Sequence, residues 1–142
     1  MDSFIVHNDV ADALADGGPV VALESTVISH GLPAPHNLQV AQQAEAVIRA
    51  AGAVPATIAV IDGQVCVGLS PAELERLADT DNTWKISRNN LATAIAQGAT
   101  GGTTVAATMI CAHLVRISIF ATGGIGGVHR GWQESLDISA DL

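Results

Sequence analysis

Hydrophobic and polar positions change period several times along the chain, and each change predicts an element. "GPVVALEST", Gly18 to Thr26, sets a β-branched apolar run behind a Gly-Pro breaker, which predicts a buried strand. In "VISHGLPAPH", Gly31, Pro33 and Pro35 predict a loop. From Asn37 to Ala51 the period becomes helical. Leu38, Ala41, Ala44, Ile48 and Ala51 share one face, Asn37 is placed to cap it and Gly52 to end it. "ATIAVIDGQVCVG" reads as two strands around Asp62-Gly63, a pair that tolerates the positive φ of a tight hairpin. "SPAELERLAD" carries a helix start, with Ser70 as N-cap, Pro71 in the first helical position and Glu73 closing a capping box. "WKIS" is a short extended piece and "RNNLATAIAQG" a helix closed by Gly98. "TTVAATMICAHL" reads as a helix opened by Gly101-Gly102, and "ISIFAT" as a buried strand feeding a glycine-rich loop.

Strands alternating with helices predict an α/β layered domain, with a mixed, largely parallel sheet and one antiparallel hairpin. No linker, low-complexity tract or charge run divides the chain, so residues 1–142 read as one domain. The tetrapeptide "ATGG" recurs at Ala99 and Ala121, too short to define a repeat.

Composition narrows the chemistry. Hydrophobic residues make up 49% and aromatic ones 3%, so the core is built from Val, Ile, Leu and Ala. The net charge of −8 repels phosphate backbones and argues against a nucleic-acid partner. Cys66 and Cys111 both lie in apolar runs, as buried free thiols of a reducing cytosol do, and no CxxC occurs. The N-terminal segment has acidic residues where a leader needs basic ones, and the longest apolar stretch is broken by His113 and Arg116. A cytoplasmic protein without a membrane span is expected.

In open α/β sheets ligands sit where strands deliver their carboxyl ends, and three such ends here carry polar chemistry. Glu24 follows an apolar strand, where burial would raise its pKa towards that of a general acid. The alternative is a structural carboxylate bonded to the next loop. Lys85 is the only lysine. It sits beside Trp84, Ser87 and Arg88, either as part of an anion site or as an exposed lysine on an edge strand. The glycine loop matches neither GxGxxG nor the Walker pattern, which weakens a nucleotide-binding reading. Its amides could still cradle an anion, or its glycines could simply allow close packing. The run after it offers His129, Glu134, Asp137, Ser139 and Asp141. Such oxygen donors suit a hard cation, and equally a helix cap at Asp137 or Ser139.

Five motifs, in order, resemble the pseudouridine-5′-phosphate glycosidase family, also called indigoidine synthase A-like. They are "ALESTVISHGLPAPHN", "AAGAVPATIAVIDG", "KISRNNL", "ATGGTTVAATM" and "FATGGIGGVHRGWQESLDISADL". The resemblance runs from about Pro19 to Leu142 and covers the N-terminal half of the family's length. It implies a three-layer α/β/α fold, truncated here at the C-terminus, and a homotrimer. The implied reaction is reversible cleavage of the C–C bond of pseudouridine 5′-phosphate, giving uracil and ribose 5-phosphate, with Mn²⁺ as the metal. Carried over by position, Glu24 matches the proton donor and Asp137 the metal ligand. Lys85, Val105, Ser139, Ala140 and Asp141 match substrate-binding positions. The imine-forming lysine of the family lies past the stretch matching "DISADL". "RNN" departs from the family where an acidic residue usually precedes the leucine, and Arg116 stands where a small residue is usual. A non-catalytic sugar-phosphate or metal-binding protein is the competing expectation.

Overall fold

The computed structural model describes residues 4–79 and 81–142; Met1–Ser3, part of the segment read for a leader, and Thr80 lie outside the described residues. The elements in order are β1 (Phe4–Val6), α1 (Asn8–Ala15), β2 (Val20–Leu23), a π-helical turn (Val27–Gly31), α2 (His36–Ala50), β3 (Val54–Ile61) and β4 (Gln64–Val67). Then come α3 (Pro71–Ala78), β5 (Trp84–Ile86), α4 (Leu91–Ala96), β6 (Gly101–Thr103), α5 (Val105–Leu114), β7 (Ile119–Ala121) and a short α6 (Trp132–Ser135). The sheet runs β1-β4-β3-β2-β7, with β6 and β5 branching from β3. Pairs β1–β4, β2–β3, β2–β7 and β5–β6 are parallel; β3–β4 and β3–β6 are antiparallel. The mixed, largely parallel α/β sheet agrees with the sequence pattern. No helix among the described residues is long and apolar enough to cross a membrane.

Alternation along β3 builds both halves of the core. Ala56, Ile58 and Val60 join a cluster with Val10 of α1, Ala94 of α4 and Cys111 and Ala112 of α5. Ala59 and Ile61 face the other way, onto Ile28, Ala41 of α2 and Leu74 and Leu77 of α3. Helices therefore lie on both faces of the sheet, the three-layer arrangement the family resemblance implies. Ser70 and Glu73 form the full capping box. Asp62 (φ 49°) and Gly63 (φ 77°) turn the hairpin. Arg76 grips the Asp62 carboxylate with both terminal nitrogens, at 2.7 and 2.5 Å, and lowers its pKa chiefly through that hydrogen bond.

Several expectations are corrected. The N-terminal stretch, read only for its charge, forms β1 and α1. The expected loop after β2 winds into the π-helical turn, which the chain enters through Ser25 O, accepting from the amides of Ile28 (3.0 Å) and Ser29 (3.2 Å). Asn37 lies inside α2 and does not cap it. Its amide nitrogen donates to Ile28 O at 3.0 Å and Ala78 O at 2.9 Å, so its two protons tie α2 to the π-helical turn and the end of α3. Glu45 occupies the buried face of α2, accepting from the Thr57 hydroxyl at 2.6 Å and Arg49 at 3.0 Å. Gly101 and Gly102 belong to strand β6, not to the start of a helix. A Cβ on Gly101 would lie 2.2 Å from Trp84 O, and one on Gly102 2.3 Å from Ser29 Oγ and 2.7 Å from Ser25 O. The glycines thus permit a close approach of three chain segments. Finally, β7 is not buried: Ile119 is 54% exposed.

Candidate functional site

The short strand β6 organises the site. It continues the sheet past the end of β2, so the Ser25 amide donates to Thr103 O at 3.2 Å. Ser25 Oγ donates to Ile58 O at 2.6 Å and accepts from the Thr103 amide at 2.9 Å. Thr103 Oγ1 also donates to Ile58 O at 2.6 Å and lies 2.8 Å from Thr108 Oγ1 in α5. This buried network fixes the start of α5 against the chain beside Glu24, and an orphaned member would cost about 1–3 kcal/mol. Strand β5 pairs with β6 and sets Lys85 opposite Gly102. Asn90 holds that strand end, donating to Lys85 O at 3.1 Å and accepting from the Ser87 amide at 2.7 Å.

The chain after β7 closes the opposite wall. Val128 bridges Ile138 antiparallel, the His129 amide donates to Asp137 O at 3.2 Å, and the Ser139 amide donates to Gly127 O at 3.0 Å. Asp141 then reaches inward. Its Oδ1 accepts from the Ala106 amide in the first turn of α5, and its Oδ2 from the Gly126 amide, both at 3.0 Å. A carboxylate at a helix N-terminus is favoured by the exposed amides and the helix dipole. The glycine loop therefore gives one of its amides to an anion of its own chain. Gly126 needs its missing side chain, since a Cβ would meet Ser139 Oγ at 2.2 Å. Gly123, Gly124 and Gly127 face open space.

These walls enclose a cleft of about 400 Å³. Glu24, Lys85 and Val105 line it from the strand side, and Asp137, Ser139, Ala140 and Asp141 from the tail. Glu24, Lys85, Val105, Asp137, Ser139, Ala140 and Asp141, the positions matched through the family resemblance, all reach this one cleft, whereas Ser87 and Glu134 do not line it. Glu24 is half-buried and accepts from the Thr122 hydroxyl. Arg88, considered with Lys85 as an anion partner, is exposed and does not line the cleft. The sequence reading missed Thr26 and Thr104, which also line it. Thr104 Oγ1 is buried at the N-cap of α5 and has no hydrogen-bond partner among the described residues. Only its position next to Val105 could have drawn attention to it.

Asp137 Oδ2 lies 3.2 Å from His129 Nδ1, with both side chains more than half exposed. Among the described residues, no three His, Cys, Asp or Glu side chains converge on one point. Such a set offers a hard cation one protein carboxylate at most, with the rest of its coordination left to water.

Residues 9–142 match the model of the family described as indigoidine synthase A like protein. The chain is 62% identical over 136 residues to a pseudouridine-5′-phosphate glycosidase of Paracoccus denitrificans, covering 94% of this chain and 45% of that protein. It is 58% identical over 142 residues to one from Herpetosiphon aurantiacus, covering 100% of this chain and 47% of the relative. The chain thus spans about half the length of the curated relatives it matches. Among solved structures it is similar to the prealnumycin C-glycosynthase AlnA in complex with ribulose 5-phosphate, with TM-score 0.87 and 42% identity, covering 99% of this chain and 45% of that one. An indigoidine synthase A-like protein of Thermotoga maritima matches with TM-score 0.79 and 33% identity, covering 87% of this chain and 41% of the other.

Proposed function

Because the chain belongs to the family of indigoidine synthase A like proteins, we propose that its cleft is the N-terminal part of a pseudouridine-5′-phosphate glycosidase site. The observation that carries this reading is the convergence of Glu24, Lys85, Val105, Asp137 and Ser139–Asp141 on one cleft, although they span most of the sequence. The volume, about 400 Å³, is within the range of small-ligand sites. The solved neighbour that binds a pentose phosphate gives further support.

The reaction asks for an unusual division of labour. Two-carboxylate glycoside hydrolysis protonates a leaving oxygen, and a C–C glycoside has none. The bond breaks with its electron pair moving to the base carbon, which must take a proton. Glu24, at the end of β2 and held by Thr122, is the group assigned to give that proton. An imine on the opened sugar would supply the electron sink, and its lysine is assigned to polypeptide beyond the matched segment. Lys85 is not that nucleophile in this reading. It holds the 5′-phosphate, together with amides at the start of α5 and the unpartnered Thr104 hydroxyl. Ser139 and Ala140 line the sugar side, and Asp141 braces that wall. Asp137 would hold a hydrated Mn²⁺, which supplies positive charge beside the anionic ligand. The proposal extends to a cytoplasmic homotrimer, tested by mass in solution.

Calorimetry with ribose 5-phosphate, with and without Mn²⁺, tests the site. Binding that weakens at least tenfold in Lys85→Ala is expected. No binding, or binding untouched by that substitution, would overturn the assignment. Ligand binding in full-length context that persists with no turnover would favour a non-catalytic sugar-phosphate-binding protein.

A further inference from the structure

The chain holds two Asp-Gly pairs, Asp16-Gly17 and Asp62-Gly63. Such a pair is open to attack on itself, because glycine sets no side chain beside the nitrogen that attacks the aspartate carboxyl. The fold treats the two pairs differently. In the β3–β4 hairpin the backbone imposes the pair: Asp62 has φ 49° and Gly63 φ 77°. A Cβ on Gly63 would lie 2.6 Å from Ile95 O, so the glycine is obligatory. The hazard is therefore inherent in the turn, and contacts hold it in check. Arg76 takes both carboxylate oxygens of Asp62, at 2.7 and 2.5 Å, and the Thr100 hydroxyl donates to Oδ1 at 3.3 Å. The Gly63 amide, the nucleophile in such a reaction, donates to Ala99 O at 2.9 Å. The same guanidinium lowers the Asp62 pKa, chiefly by its hydrogen bond, and an ionised carboxylate has no hydroxyl to lose as water.

Asp16 has none of these restraints. It caps the C-terminal end of α1 and is exposed. Its carboxylate has no hydrogen-bond or ion-pair partner among the described residues. The Gly17 amide donates to Leu14 O at 3.3 Å, a longer bond than that of Gly63. A Cβ on Gly17 would meet nothing within 4 Å, so the space around the attacking nitrogen is open. We infer that Asp16-Gly17 is a site of spontaneous isoaspartate formation in the folded chain, and that the Arg76 clamp spares Asp62-Gly63 the same reaction. The Gly17 nitrogen attacks Cγ of the protonated Asp16 carboxyl. A C–N bond forms, a C–O bond breaks, and the amide proton leaves with the hydroxyl as water. The resulting succinimide takes up water at its main-chain carbonyl carbon, whose bond to nitrogen breaks. The chain then runs through the β-carboxyl, one methylene longer, with no net change in mass and no oxidant or reductant.

The two positions differ in what the extra methylene would disturb. At Asp62 it would lengthen a turn that sets Ile61 opposite Gln64, on the strand where Ala59 and Val60 pair with Gly102 and Gly101. Thr100, the third member of the clamp, directly precedes β6, the strand on which the cleft is built. At Asp16 the change falls on the end of α1, in the turn closed by the Gly18 amide on Ala13 O at 2.7 Å. Neither Asp16 nor Gly17 lines the cleft. The clamp thus guards the position whose rearrangement would reach the cleft. This inference does not depend on the glycosidase reading.

Ageing the purified chain in neutral buffer, folded and in urea, tests both halves of the inference. Isoaspartate is read by an isoaspartate-specific carboxyl methyltransferase with a labelled methyl donor, and placed by electron-transfer fragmentation. In urea the contacts are gone, and the two positions are expected to isomerise at similar rates. In the folded chain isoaspartate is expected at residue 16, with residue 62 slower by at least about tenfold, because reaction there waits for local opening. Arg76→Ala removes an exposed side chain and should speed residue 62 by about tenfold while leaving residue 16 unchanged. A circular dichroism spectrum equal to the parent's shows that this variant is folded, and the comparison of folded with urea-treated parent decides the protection of residue 62 without any variant. Asp16→Glu should abolish the label at residue 16, because the larger ring closes far more slowly. Equal rates at the two residues in the folded parent, no isoaspartate at residue 16, or a folded Arg76→Ala chain in which residue 62 stays as slow as before would overturn the inference.

Discussion

Asp141→Asn removes one acceptor oxygen while keeping the side chain's shape. In the native chain Oδ1 and Oδ2 serve two different amides, Ala106 and Gly126, each at 3.0 Å. An asparagine can accept through one atom only, and its NH₂ would point a donor at a donor. One of the two amides must lose its partner. A hydrogen bond to a charged group contributes about 1.5–3 kcal/mol, and about 1.4 kcal/mol is a factor of ten. The protection of Ala106 or Gly126 against hydrogen exchange should therefore fall by roughly 10- to 150-fold. Neither amide adjoins residue 141 in sequence, so its intrinsic exchange rate is unchanged. Asp137→Asn is the control, because Asp137 accepts from neither amide. The assay is amide exchange read by NMR or by mass spectrometry with fragmentation. Equal protection in Asp141→Asn and the parent chain would refute the bracing role and the closed wall built on it.

Other outcomes follow from the same structure. Gly102→Ala would set a Cβ 2.7 Å from Ser25 O, so urea unfolding should show a loss of about 1–3 kcal/mol, and a neutral result would mean that β6 has room to move. Thr104→Val should leave the melting temperature nearly unchanged, because the hydroxyl has no partner, while weakening ribose 5-phosphate binding in calorimetry. Burial pushes both thiols up to about 11, so Cys66 and Cys111 should alkylate about 100-fold more slowly at pH 8 than a free cysteine, and fast modification of the native chain would contradict their packing. Arg76 depresses the Asp62 pKa, so that pair contributes above the unfolded value and fades as pH falls through the lower folded one; Asp62→Asn should flatten the acid limb of the stability profile below about pH 4. The 142-residue chain alone should self-associate and show no turnover of pseudouridine 5′-phosphate; a soluble monomer with turnover would refute the placement of the nucleophile beyond the matched segment.

Local signals were legible where a few neighbouring residues settle the outcome. Ser70 to Glu73 fixes a helix start, Asp62-Gly63 a hairpin, and the period of Leu38, Ala41 and Ala44 a helix face. The α/β class followed from the alternation of such segments, and the site residues from five ordered motifs. What stayed hidden depends on partners distant in sequence. Gly101-Gly102 looks like a helix breaker until Trp84, Ser25 and Ser29 crowd against it, and then only a strand without side chains fits. Asn37 looks like a cap until Ile28 and Ala78 present carbonyls to it. Glu24 and Asp141 lie far apart in the chain and line one cleft only because β6 continues the sheet past β2 and the tail folds back on the glycine loop. The sequence by itself determined which residues are the candidates for the chemistry and most of the segments that coil or extend, because propensity and capping act over a few residues. Only the tertiary structure decided which of them meet and which apolar face stays open, because burial and hydrogen-bond completion are settled between segments.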